Sequence, residues 1–379
     1  MQTYDFGSGR TDPGSFPTEA LAAAAGLAIR ELGGELVYYP GRLGHEGLRR
    51  AMAERESARE SVEVDPEHIA LTNGSMQAVT LVAEALLERP GDVIVTEELT
   101  YSGTIQAYRG LGARLVGVPL DEEGMRMDAL EETLADLRRA GTPPRFIYTL
   151  TTYQNPTGAV MPRERRLELL DIARRNDLIV VEDNCYADVH FEGEKQPSLY
   201  ALDDSPNIVY LCSLSKILGP GVRLGYLMAR PPMLERLLAR RFDGGNSVLA
   251  AAICAELFCD VVWKHLAVTN PILKRKRDAV LAGLAGHPEA FRSWSRPVGG
   301  VFIWVELPGG LDSAALAATA EERGVVYAPG SAFHVAGKDI PYLRLAFGSI
   351  AEEAISEGIG RLAAAVSAAR DRQPVGGLR

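Results

Sequence analysis

In the stretch Cys212-Ser213-Leu214-Ser215-Lys216-Ile217-Leu218-Gly219-Pro220-Gly221-Val222-Arg223, one lysine follows two serines and precedes an arginine. A lysine amine captures aldehydes as a Schiff base, and burial or nearby cations lower its pKa for that task. The hydroxyls of Ser213 and Ser215 and the guanidinium of Arg223 suit a phosphate. A phosphate-bearing aldehyde such as pyridoxal phosphate needs both features. Taken alone, the stretch is equally compatible with a surface lysine in a polar loop. A second candidate is Arg344, in Leu343-Arg344-Leu345-Ala346-Phe347. A guanidinium in an apolar strand is costly unless an anion meets it.

The elements that must position these groups read as alternating short strands and helices. Apolar runs at 69–72, 92–96, 114–118, 146–149, 178–182, 208–211 and 224–229 are separated by helical patterns at 76–88, 101–111, 127–139 and 164–175. Such alternation implies an α/β chain with a mainly parallel sheet covered on both faces. Ligands of such sheets bind at the carboxyl ends of the strands. Four polar clusters sit there: Asn73-Gly74-Ser75, Asn155-Pro156-Thr157-Gly158, Asp183-Asn184-Cys185-Tyr186 and Ser213 to Lys216. The four loops are expected to converge on one site. Helical sequence from Asn246 to Leu284 follows, which Pro271 is expected to kink or split. Strand patterns at 299–305, 325–327 and 342–347, with helices at 313–323 and 351–368, predict a smaller α+β unit. Gln373 to Arg379 read as a frayed end.

In this combination and order, Asn-Pro-Thr-Gly, Asp-Asn-x-Tyr and Ser-x-Ser-Lys with Pro-Gly-x-Arg resemble the fold-type I, class I/II aminotransferases that use pyridoxal phosphate. The branch of 2-aminoadipate, aromatic and branched-chain aminotransferases is the most similar. The resemblance runs from about residue 5 to about residue 368. It implies a seven-stranded, mainly parallel sheet in a large cofactor-binding domain at 46–275, and a small α+β domain at 276–379 that residues 1–45 join. It also implies a homodimer with shared active sites.

Residue by residue, the resemblance gives Lys216 as the Schiff-base lysine and proton carrier, and Asp183 as the carboxylate at the pyridine nitrogen. Tyr186 and Asn155 fall to the phenolic oxygen, and Tyr101 to stacking on the ring. Gly74, Ser75 and Met76 form the helix start under the phosphate, with Ser213, Ser215 and Arg223 completing the cup. Tyr39, with Tyr38 as rival, is the tyrosine that reaches the phosphate in the partner subunit. Arg344, with Asn155, takes the substrate carboxylate. Three departures stand out: Met76 where the family often has glutamine, Glu98-Leu99-Thr100 where it has a proline before the aromatic, and Gly7-Ser8-Gly9-Arg10-Thr11-Asp12-Pro13 for its Gly-Gly-x-Pro pattern. Arg10 is a candidate for an acidic substrate side chain, but a solvated arginine is the preferred reading.

The expected reaction moves an amino group between an L-amino acid and a 2-oxo acid. The alternative is another reaction of the same cofactor on an amino acid: cyclisation, elimination, decarboxylation or oxidation. The sensor half of a transcription regulator is a third class, disfavoured because the chain begins almost directly with the small-domain segment. A net charge of −10 argues against nucleic acid as a partner. Lys274-Arg275-Lys276-Arg277 reads as a solvated helix face. Cys185, Cys212, Cys254 and Cys259 lack metal-ligand spacing and read as buried free thiols of a reducing, cytoplasmic compartment. No metal, signal peptide or membrane span is expected.

Overall fold

The structure, a computed structural model, describes residues 2–309 and 311–372, with 259, 260 and 372 described by backbone alone. The frayed end expected at Gln373–Arg379 lies outside the described residues. Except for the edge strand Arg114–Val118, the strand runs are buried on both faces, which is why they read as continuous apolar segments rather than alternating ones. They form a seven-stranded sheet in the order Ile69–Thr72, Gly225–Ala229, Ile208–Ser213, Ile179–Asp183, Pro144–Thr149, Val93–Glu97, Arg114–Val118. All neighbours pair in parallel except Gly225–Ala229, which runs antiparallel to both of its neighbours. Helices pack on both faces, and two apolar clusters fill the space beneath them.

A four-stranded antiparallel sheet follows, in the order Ser293–Trp294, Phe302–Glu306, Tyr342–Ala346, Ala328–Pro329. The strand expected from Gly299 begins only at Phe302. Gly299 instead makes an isolated antiparallel bridge with His190, packed so close to Tyr153 that a Cβ there would lie 2.3 Å from the tyrosine ring. The N-terminal pair Tyr4–Asp5, not expected as a strand, pairs in parallel with Val325 and Val326.

Val248–Ala285 is one continuous helix of 38 residues with Pro271 inside it. The run is not split, because Thr18–Leu32 and Glu352–Arg372 pack along it and hold it together. The basic block on this helix departs from expectation. Lys274 and Arg275 face outward, but Lys276 and Arg277 are buried. Lys276 donates to Asp12 at 2.7 Å and to the Gly348 carbonyl at 2.9 Å. Arg277 donates to Glu192 and to the Pro297 carbonyl, each at 2.7 Å. Sequence pattern on one helix cannot show carboxylates that distant segments bring. Cys212 and Cys254 are buried free thiols, whereas Cys185 is half-buried. Among the described residues no helix is long and apolar enough to cross a membrane.

Candidate active site

The chain reverses from the strand Ile69–Thr72 into the helix Ser75–Leu86 through Gly74, whose φ of 76° favours glycine. Gly225 lets that helix start settle on the sheet: a Cβ there would lie 2.8 Å from the Ser75 nitrogen. The first N–H groups of a helix have no partner within it, and here they open on a cavity lined by Gly74, Ser75 and Met76. Ser213 and Ser215 line the same cavity. Ser213 Oγ accepts from the Ser215 N–H at 3.2 Å, leaving its own proton to donate. Arg223 adopts a left-handed backbone, φ 52°, and donates to the Asn73 carbonyl at 3.0 Å. Its guanidinium packs against Gly74. Together these donors form an anion cup at the edge of a cavity of about 380 Å³.

The other wall is built for a ring and an amino acid. Lys216 points Nζ at the Gly9 carbonyl, 2.7 Å away, and 5.6 Å from the Tyr186 ring centre. Burial, and secondarily the Arg344 charge, bring its pKa down to about 8. Asp183, at the carboxyl end of its strand, is buried, and burial raises its pKa. Oδ2 accepts from the Tyr148 hydroxyl at 2.6 Å. Oδ1 is buried without a hydrogen-bond partner; the Cys185 thiol is near enough to favour the charged carboxylate but lies outside hydrogen-bond geometry.

Arg344 is buried and donates to Asn155 Oδ1 at 2.9 Å and to the Gly7 carbonyl at 2.7 Å. Its guanidinium lies 4.0 Å from the Phe302 ring centre, and its Nε has no partner. No carboxylate within salt-bridge distance, among the described residues, neutralises it, and burial lowers its pKa to about 10. A structural ion pair is therefore not its role. Because arginine only donates, the Asn155 atom facing it is oxygen, so the amide nitrogen of Asn155 is free to donate elsewhere.

Twelve of the residues singled out from sequence line this one cavity: Gly74, Ser75, Met76, Tyr101, Asn155, Asp183, Tyr186, Ser213, Ser215, Lys216, Arg223 and Arg344. Two do not. Arg10 is exposed and outside the lining, and Tyr39 is 87% exposed. The cavity also takes in Gly9, Ser102, Leu150, Cys185, Pro220 and Phe302. Gly9 carried a signal in its glycine-punctuated loop; Phe302 and Tyr148 look like ordinary strand aromatics.

A model of the class I and II aminotransferases matches residues 4–362. The chain belongs to this family. It is 34% identical over 363 residues to an aromatic-amino-acid aminotransferase of Thermococcus litoralis, covering 93% of this chain and 85% of that protein. Its fold superposes at TM-score 0.92 on a multiple-substrate aminotransferase of Thermococcus profundus, with 32% identity and coverage of 98% and 93%. The alpha-aminoadipate aminotransferase of Thermus thermophilus, solved with N-(5'-phosphopyridoxyl)-L-leucine, is 34% identical at TM-score 0.89, with coverage of 97% and 93%. The protein is thus a fold-type I enzyme that transfers amino groups between amino acids and 2-oxo acids and uses pyridoxal phosphate. The cyclase, lyase, decarboxylase and oxidase alternative finds no support among these relatives. The cup, the unpartnered Asp183 oxygen and the buried lysine fit this cofactor.

Proposed function

We propose that Lys216 of this aminotransferase holds the cofactor and carries the α-proton of the substrate, while Arg344 binds the α-carboxylate. The supporting observation is the cavity that joins an amine of lowered pKa, a carboxylate oxygen without a partner and a guanidinium without a counterion. Bound pyridoxal phosphate supplies an aldehyde that captures amines and a ring that delocalises the electron pair left by a departing proton. The N-terminus of the Ser75 helix, Ser213, Ser215 and Arg223 take the phosphate. Tyr101 stacks on the ring, Tyr186 and the Asn155 amide donate to its phenolic oxygen, and Asp183 keeps its nitrogen protonated. Lys216 Nζ, neutral above about pH 8, would take the proton from the substrate α-carbon and deliver the same proton to the carbon that carried the cofactor aldehyde. The Phe302 ring beside Arg344 and the aromatic relative support an aromatic amino acid as one substrate. The alpha-aminoadipate relative supports an acidic one; Arg10, the contact expected from sequence, is exposed and outside the cavity lining. With a panel of amino acids and an added 2-oxo acid, equal amounts of new keto acid and new amino acid are the expected products, and release of ammonia or carbon dioxide in place of the new amino acid overturns the assignment.

Arg344→Ala is expected to raise KM and lower kcat/KM for amino acids by about 3 kcal/mol, because a charged, hydrogen-bonded contact is lost in a desolvated site. The absorbance of bound cofactor stays as in the parent. Amines that lack the carboxylate are poor substrates of both proteins. Unchanged kcat/KM for amino acids places the carboxylate contact elsewhere.

We further propose a homodimer in a reducing cytoplasm, with residues 46–275 as the large domain and 276–379 joined by 1–45 as the small one. Val37, Tyr38, Tyr39 and Phe242 are 77%, 67%, 87% and 88% exposed, an apolar patch that suits burial against a second copy. Tyr39 in this patch is the candidate to reach the phosphate in the partner subunit. Dilution to monomers is then expected to release cofactor, and Tyr39→Phe to weaken cofactor binding with the substrate profile unchanged. Full activity of a monomer at assay concentration, checked by light scattering, rules out the shared site.

A further inference from the structure

Behind Asp183, away from the cavity, a line of hydroxyls runs into the sheet. Tyr148 stands on the neighbouring strand Pro144–Thr149 and is fully buried. Its oxygen lies 2.6 Å from Asp183 Oδ2 and 3.0 Å from Thr104 Oγ1. A phenol has one proton. Since the carboxylate can only accept, Tyr148 gives its proton to Asp183, and the Thr104 hydroxyl must donate to Tyr148. Thr104 is itself fully buried on the helix Ser102–Gly110. The direction of both bonds is therefore fixed, and each polarises the next. The Tyr148 ring is held edge-on by Tyr108, with centroids 5.6 Å apart and planes at 90°. The hydroxyl has no freedom to turn elsewhere.

We infer that Tyr148 is a positioning residue for Asp183: its hydroxyl, backed by Thr104, keeps the carboxylate ionised and turned so that Oδ1 is left for the ring nitrogen. This rests on the reading of Asp183 given above and names the group that makes Asp183 fit for it. Burial alone pushes the Asp183 carboxyl toward its neutral form, and a neutral carboxylic acid cannot hold a proton on the ring nitrogen. The groups that oppose or add to burial are few. The Cys185 thiol on the Oδ1 side, Tyr148 on the Oδ2 side, the Cys185 backbone N–H and the Lys216 charge favour the carboxylate. Cys185 lies on the cavity side and Tyr108 behind, both with pKa values raised by burial, so neither brings a charge at neutral pH. Glu97 ends the adjoining strand, accepting from the Thr149 hydroxyl at 2.6 Å and the Leu150 N–H at 2.9 Å. Burial brings its pKa up to about 7, so below that pH it is neutral beside Asp183. Tyr148 is the one hydroxyl in hydrogen-bond contact with Asp183 among the described residues.

The test uses holoenzyme of Tyr148→Phe and Thr104→Val. Two quantities are followed against pH: kcat/KM, and the fraction of cofactor absorbance retained after gel filtration. Losing a hydrogen bond to a charged group raises the carboxyl pKa, so the acid limb of both profiles is expected to move to higher pH. The shift expected for Tyr148→Phe is about 1–2 pH units, with a smaller shift in the same direction for Thr104→Val. A merely structural role lowers rates or melting temperature evenly across pH and leaves the limb in place, and that outcome overturns the inference. If the phenylalanine variant does not fold, an unshifted Thr104→Val limb overturns it alone. The two readings are separable. An Asp183→Ala enzyme with undiminished proton transfer defeats the role of Asp183, whereas an Asp183-dependent enzyme with unshifted Tyr148→Phe profiles defeats only the role of Tyr148.

Discussion

Lys216→Ala is expected to lose turnover by about 10⁴-fold or more, the combined scale of removing a nucleophile and a general base from one site. The reasons are local. Nζ is held toward the Gly9 carbonyl within the cavity, and burial with the Arg344 charge brings its pKa down to about 8. An amine of pKa about 8 is partly neutral near pH 7, whereas an ordinary lysine is almost wholly charged. For the parent enzyme the sign follows: the neutral form does the work, so the lysine-dependent step speeds up as pH rises through about 8. Borohydride treatment of the parent should fix the cofactor to Lys216, visible as a mass increment on the peptide that contains it. The alanine variant should show no increment on any peptide. A labelled lysine elsewhere, or an active Lys216→Ala enzyme, sinks the assignment.

The second large effect is expected at Asp183. Asp183→Ala removes the carboxylate that faces the ring and should slow α-proton removal on the order of 10³-fold, as loss of a preorganised charge in a water-poor site does. Asp183→Asn keeps the shape and can still accept from Tyr148, yet it carries no charge to hold the ring proton. It should fall nearly as far. Cofactor affinity should fall less than rate, because the phosphate cup is untouched. Exchange of the α-hydrogen with deuterated solvent isolates the proton step, and near-normal exchange in either variant removes Asp183 from the mechanism.

The sheet was legible because strands buried on both faces leave unbroken apolar runs, and the parallel rule then put Asn73, Asn155, Asp183 and Ser213 at one edge. What escaped sequence reading depends on contacts between distant segments. Lys276 looks like half of a solvated basic block until Asp12 and the Gly348 carbonyl are brought to it. Pro271 looks like a break until flanking helices hold the run together. Tyr148 sits in an apolar strand, and nothing in its neighbours announces that its hydroxyl meets a carboxylate on the next strand. Arg344 was legible for the opposite reason: a guanidinium among Leu343, Leu345 and Phe347 conflicts with its surroundings, and such conflicts mark function.

The N-terminal segment has a consequence for how the enzyme is made. Tyr4 and Asp5 pair with Val325 and Val326, Asp12 with Lys276, and the Gly7 carbonyl with Arg344, 337 residues downstream. Residues 4–12 thus leave the ribosome long before the segments they pair with. At about 5–20 residues per second they wait roughly 20–70 seconds for their partners. Until then the Arg344 side of the cavity lacks a wall, so a polypeptide arrested short of residue 344 has no complete site.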